Sequence, residues 1–259
     1  MEHVTSADGT RIAFESFGEG PAVVIVGGAM STSAAAQPLA QSLAKNGLRG
    51  VTMDRRARGE SGDAASYAPE READDVAAVA REVGAAAILG HSSGAVLALF
   101  AAARGVDARL FLSEPPFLFG ESLPDPRLPE RLQGLVDEGR GDEAIVTFQR
   151  EAVGLPEPVI EHIRNSPMFD ALVPLAQSVV YDATLTRALS TPTPEMLEIP
   201  ATILRGEPTF PALVRACATL NDAMRESELV IVPESRDHGL DPAGTARELR
   251  ARISGVSLN

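Results

Sequence analysis

Gly90-His91-Ser92-Ser93-Gly94 stands between an apolar, strand-like run, Ala85 to Leu89, and an alanine-rich, helix-like run, Ala95 to Ala103. A G-x-S-x-G pentapeptide in that setting reads as a sharp strand-to-helix turn, a nucleophile elbow, with a serine at its apex. Such a turn forces the apex into a strained backbone conformation, and glycines two before and two after Ser92 relieve the crowding it creates. The Ser92 hydroxyl would then stand above the strand ends. The Ser93 N–H, at a helix N-terminus, would face any negative charge that develops there.

The pattern around the elbow repeats it. Short β-branched or apolar runs at Ala22 to Val26, Val51 to Met53, Ala86 to Leu89, Leu110 to Leu112, Thr202 to Leu204 and Leu229 to Val232 read as buried strands. Helical spacing falls between most of them, at Ser33 to Lys45, Pro69 to Val83, Ser93 to Arg104, Pro211 to Met224 and Asp241 to Ile253. Before them, residues 2 to 17 turn at Ala7-Asp8-Gly9 and predict two antiparallel edge strands. Strands alternating with helices predict an α/β fold, a mostly parallel, doubly wound sheet with its site beyond the carboxyl ends of the strands.

From Phe117 to Glu198 the alternation stops. Helix-like stretches at Glu130 to Glu138, Asp142 to Val153, Pro158 to Arg164 and Phe169 to Leu189 are separated by proline-bearing turns. The expected organisation is a core of residues 1–116 and 199–259, with residues 117–198 as an all-helical cap over the site. The apolar residues Phe148, Met168, Phe169 and Tyr181 of that segment are the candidate lining of a substrate pocket.

Composition narrows the function. A net charge of −13 spread along the chain disfavours nucleic acid and anionic membrane, leaving a small molecule as the expected partner. One cysteine, Cys217, excludes an intramolecular disulfide, and four scattered histidines give no zinc-like spacing, so neither metal nor cofactor is expected. The first residues lack a signal-peptide core, and no apolar run approaches the roughly 18 residues of a membrane span, which points to the cytoplasm.

A serine nucleophile needs a base. His238, in Asp237-His238-Gly239, follows the last strand-like run and precedes the C-terminal helix, so its loop returns to the sheet edge that carries Ser92. His91 is expected to point away into packing. Two carboxylates compete to orient His238: Glu114, after Leu110 to Leu112 and held by Pro115-Pro116, and Glu207, after Thr202 to Leu204. Oxyanion donors are expected from the N–H groups of Ser93 and Ala29, the latter in the turn Gly27-Gly28-Ala29-Met30. The run Asp54 to Gly62 holds three arginines beside Asp54 and Glu60 and reads as an internally paired loop.

With those residues in place, the chain resembles the α/β-hydrolase superfamily, in particular its small bacterial esterase and lactonase-like members, over nearly its whole length. The resemblance rests on Gly27-Gly28-Ala29 where the family usually has His-Gly-x, on Asp54 to Ser61 where it has D-x-R-G-x-G-x-S, on Gly90 to Gly94, and on Asp237-His238-Gly239. The family's usual acid position is Thr209 here. Relatives that place the acid one strand earlier imply Glu114 ahead of Glu207. The resemblance implies a serine hydrolase of a small ester or lactone, acting through an acyl-enzyme with Ser92, His238 and Glu114. The alternative is a non-hydrolytic member, a natural-product cyclase or a ligand-binding protein, using the same pocket.

Overall fold

The computed structural model describes residues 1–121 and 123–253; Ser122 of the expected cap and residues 254–259 of the expected core lie outside them. Eight strands form one sheet: β1 (Glu2–Thr5), β2 (Arg11–Phe17), β3 (Ala22–Val26), β4 (Arg49–Met53), β5 (Ala85–His91), β6 (Arg109–Ser113), β7 (Ala201–Gly206) and β8 (Ser227–Val232). Their order across the sheet is β1-β2-β4-β3-β5-β6-β7-β8. β1 and β2 pair antiparallel with each other, as does β2 with β4, and every later pairing is parallel. The hairpin at Asp8-Gly9 forms, with Thr10 N–H donating to Asp8 Oδ1. Of these two strands only β1 is an edge, however, because β2 continues the sheet by pairing with β4.

Both faces of the central parallel strands are buried, so β3 and the middle of β5 and β6 are apolar instead of alternating with polar residues. Val23, Ile25, Ala87, Leu89, Phe111 and Leu204 face helices α1 (Ser33–Lys45) and α11 (Pro242–Ile253), through Leu39, Leu43, Ala246 and Leu249. Val24, Val26, Ile88, Leu110, Leu112 and Ile203 face α2 (Pro69–Val83) and α3 (Ser93–Ala103). Burial of α3 on all sides explains its uniformly apolar sequence.

Between β6 and β7 the described residues contain only helices: α4 (Leu128–Asp137), α5 (Gly141–Phe148) with a π turn at Gln149–Val153, α6 (Glu157–Arg164), α7 (Phe169–Leu172), a 3-10 turn at Val173–Leu175, α8 (Ala176–Ala188) and α9 (Pro194–Leu197). The single helix expected from Phe169 to Leu189 is instead three pieces. Pro174 lacks the N–H that a continuous helix requires, and its ring clashes with the preceding turn. Leu132, Ile145, Phe148, Phe169 and Val179 give this insertion a cluster of its own. Ala29, Met30 and Ala57 pack against that cluster, which seats it on the loops at the carboxyl ends of the strands. The remaining helix, α10 (Pro211–Ala223), joins β7 to β8.

Candidate active site

Ser92 sits at φ 55°, ψ −125°, in the turn between β5 and α3. Its flanking glycines are required by two different neighbours. A Cβ on Gly90 would strike the backbone of Gly94 and Ala95, and one on Gly94 would strike the carbonyls of Val26 and Gly27. The first clash would block the sharp turn; the second would push α3 off the end of β3. The turn after β3 lies directly against the elbow, since a Cβ on Gly28 would stand 2.9 Å from Ser92 Cβ and 3.1 Å from His91 O. Among the described residues, the N–H groups of Ala29 and Ser93 donate to no protein acceptor, and Ser92 Oγ makes no hydrogen bond.

Glu114 and His238 meet at the adjoining strand ends, with His238 Nδ1 2.5 Å from Glu114 Oε2. The carboxylate is buried and further accepts from Gly206 N–H at 2.9 Å and Thr209 Oγ at 3.0 Å. Burial alone would raise its pKa. The bonds from His238, Gly206 and Thr209, with the charge of His238, outweigh burial and hold the carboxyl below its ordinary range. Thr209, at the family's usual acid position, thus donates to the carboxylate of Glu114 at the neighbouring strand end. Glu207 lies elsewhere: its exposed carboxylate is 3.8 Å from Arg205.

Backbone strain gathers here. Of seven non-glycine residues at positive φ among the described residues, five are Met30, Ser92, Glu114, Asp237 and His238. Such conformations cost on the order of 1–3 kcal/mol each and persist where the surroundings impose them, commonly at functional sites. His91 is the residue whose placement differs from expectation. It does not turn away into passive packing. Its ring centroid is 4.7 Å from that of His238, and its Nδ1 is 3.2 Å from Ser113 Oγ. Burial, then the charge of His238, lowers its pKa to about 3, so it stays neutral near pH 7.

The sequence matches the model of the alpha/beta hydrolase family over residues 23–256. The chain belongs to that family. An alpha/beta hydrolase from Sphaerobacter thermophilus DSM 20745 is 36% identical, with a TM-score of 0.90 over 98% of this chain and 100% of that one. At lower identity the likeness is one of fold. An esterase from Rhodococcus sp. ECU1013 is 23% identical (TM-score 0.68, 99% of both chains), and a bromoperoxidase from Bacillus anthracis is 17% identical (TM-score 0.70, 97% of this chain and 98% of that one). No curated protein matches the sequence.

In this alpha/beta hydrolase the loop after β4 carries the charges that sequence reading paired too locally. Arg55, Arg56 and Arg58 are buried, but their partners are not Asp54 and Glu60. Arg55 binds Glu72 at 2.7 Å and Asp182 at 2.8 Å, Arg56 binds Asp75 at 2.7 Å, and Arg58 binds Asp182 at 2.7 Å. Asp54 instead accepts from the N–H groups of Ser33 and Glu60, closing the loop on itself. Distance in sequence hid these pairs: Asp182 comes from α8, far along the chain.

Three of the four candidate pocket residues, Phe148, Phe169 and Tyr181, belong to one buried cluster, and Met168 does not. Phe148 and Phe169 are buried in the cluster that Ala29 and Met30 touch. Met168 is 63% exposed at the start of α7, where the short helix turns its side chain to solvent. Tyr181 stacks on Tyr67 with centroids 4.1 Å apart and donates to Asp63, because its polar hydroxyl finds an acceptor there. It lines a polar cavity of about 330 Å³ with Asp63, Tyr67, Gln133, Gln177 and Thr184, and neither Ser92 nor His238 lines that cavity. Among the described residues no group of acidic, His and Cys side chains is arranged to hold a metal, and no helix is long and apolar enough to cross a membrane.

Proposed function

We propose that the protein is a serine hydrolase that cleaves a small ester or lactone through an acyl-enzyme, with Ser92 as nucleophile, His238 as base and Glu114 as the orienting acid. The observation that carries this reading is the 2.5 Å approach of His238 Nδ1 to a buried, triply bonded Glu114. That contact keeps a proton on Nδ1 and leaves the Nε2 lone pair free for the serine hydroxyl. In the reaction Ser92 Oγ attacks the acyl carbon while its proton passes to His238 Nε2. The N–H groups of Ala29 and Ser93 receive the oxyanion. Collapse expels the alcohol, which takes the proton from His238, and water then attacks the acyl-enzyme with His238 again as base.

Phe148 and Phe169 form the apolar roof of the acyl site in this reading, since they share a cluster with Ala29 and Met30. The helical insertion acts as a cap. The test pairs labelling by a fluorophosphonate probe with turnover of p-nitrophenyl esters and lactones. The wild-type protein should label and turn over. Ser92→Ala should fold, fail to label, and lose several orders of magnitude in kcat/KM. Turnover by Ser92→Ala near the wild-type rate would overturn the assignment. Labelling without any hydrolysis would favour the non-hydrolytic reading.

A further inference from the structure

Asp182 has no exposed surface and lies on α8, in the insertion, yet it reaches both segments that present amides to the site. Its Oδ1 accepts from Ser93 Oγ at 2.8 Å and from Arg55 Nη1 at 2.8 Å; its Oδ2 accepts from Arg58 Nη2 at 2.7 Å. The arginines continue the chain of contacts. Arg58 Nη1 donates to Gly28 O at 2.6 Å and to Ser31 O at 3.2 Å, on either side of Ala29 and Met30. Arg55 Nη1 donates to Gly27 O at 3.3 Å and to Ser93 Oγ at 3.1 Å. One carboxylate from the insertion therefore fixes, through two guanidiniums and one hydroxyl, the carbonyls of the turn after β3 and the residue after Ser92.

The charges balance only as a set. Arg55 and Arg58 face Glu72 and Asp182, all buried. Burial would raise the pKa of Asp182, but Arg58, Arg55 and the Ser93 bond overcome this and keep it ionised. Gly28 leaves no slack, since its Cα already sits where a Cβ would press on Ser92. A turn held by its carbonyls presents its N–H groups in a fixed direction, which an oxyanion site needs in advance of reaction.

We propose that Asp182 is a positioning residue that aligns the Ala29 and Ser93 amides, so that the insertion sets the geometry of the oxyanion site as well as covering it. This inference rests on those amides being the oxyanion donors. The contrast is Arg56–Asp75, a pair buried equally well that contacts Asp8 and Arg71 O but no part of the turn or the elbow.

The experiment compares Asp182→Asn, Arg58→Lys and Asp75→Asn with the wild type by ester kinetics, by affinity for a boronic-acid transition-state analogue, and by backbone amide order parameters from NMR relaxation. Asp182→Asn should lower kcat roughly tenfold to a hundredfold with KM little changed, and weaken boronate binding in parallel. Order parameters should fall at residues 27–31 and 93–94 while α4 and α5 keep theirs. Arg58→Lys, which keeps a charge but loses the forked contact, should move the same observables by less and guards against an Asp182 variant that does not fold. Asp75→Asn should lower Tm and leave kcat and boronate affinity unchanged. Wild-type kcat and unaltered order parameters at 27–31 in Asp182→Asn would overturn the proposal, as would an equal loss of kcat in Asp75→Asn. If the wild type hydrolyses no ester or lactone, the serine-hydrolase reading falls separately, and the order parameters still decide whether Asp182 holds the two segments.

Discussion

Glu114 shows how a single carboxylate can be read from position but explained only by contacts. Two glutamates ended neighbouring strands; Pro115-Pro116 and the threonine at position 209 favoured Glu114, but the contacts that distinguish it, from Gly206 N–H and Thr209 Oγ, come from β7 and the residues after it. Glu114→Gln should therefore lower kcat by roughly a hundredfold to ten-thousandfold with little change in KM, because His238 loses its fixed tautomer. Glu207→Gln should stay near wild type, and parallel kinetics on one ester decide between them. His91 carries a different signal. Its folded pKa of about 3 lies below its ordinary 6.5, so the unfolded chain takes up a proton first and stability falls as pH drops through that window. Asp75, raised by burial to about 6, acts in the opposite sense between its ordinary 3.8 and 6. The check is thus a difference: urea titrations from pH 7 to 4 should show the wild type losing up to about 1.4 kcal/mol per pH unit relative to His91→Gln. Parallel pH profiles for the two proteins would refute a neutral His91 in the folded state.

At the scale of elements, the strands and the helices that flank the sheet were legible because each is an uninterrupted apolar run or a helical period bounded by Gly or Pro. The elbow was legible for the same reason, its glycines standing where backbone meets backbone. What stayed hidden was relational. That β2 is not an edge depends on β4, which lies far ahead in the chain. That Tyr181, packed in the insertion's cluster, also donates to Asp63 and stacks on Tyr67 depends on a loop with no periodic pattern. Within the insertion, Phe148 ends α5 with only 4% of its surface exposed, so Phe148→Ala should cost roughly 3–5 kcal/mol in denaturant unfolding. Because Ala29 and Met30 pack on the same cluster, the same change should shift preference toward longer acyl chains. Unaltered stability would show that the insertion's cluster closes over the gap, and unaltered chain-length preference would remove Phe148 from the acyl site.

For the molecule as a whole, the insertion is joined to the loop after β4 by the ion pairs of Asp182 and to the loops at the strand ends by apolar contact. Breaking one buried ionic partner leaves the other uncompensated, at a cost of roughly 3–5 kcal/mol, whereas replacing both by apolar residues of similar size can be close to neutral. Arg58→Met and Asp182→Leu should each destabilise strongly, and the double variant should lose clearly less than their sum, since Arg55 keeps Glu72. Simple additivity in chemical unfolding would dissolve the network into independent contacts. The same arithmetic bears on how such a protein changes over generations. Substitution at position 182 alone strands two guanidiniums beside one carboxylate, so drift there is barred unless position 58 moves with it. The insertion's apolar residues can be exchanged for others of similar volume at small cost. The residue that seats it on the turn after β3 cannot change without that partner, and among descendants of this chain positions 58 and 182 should vary as one.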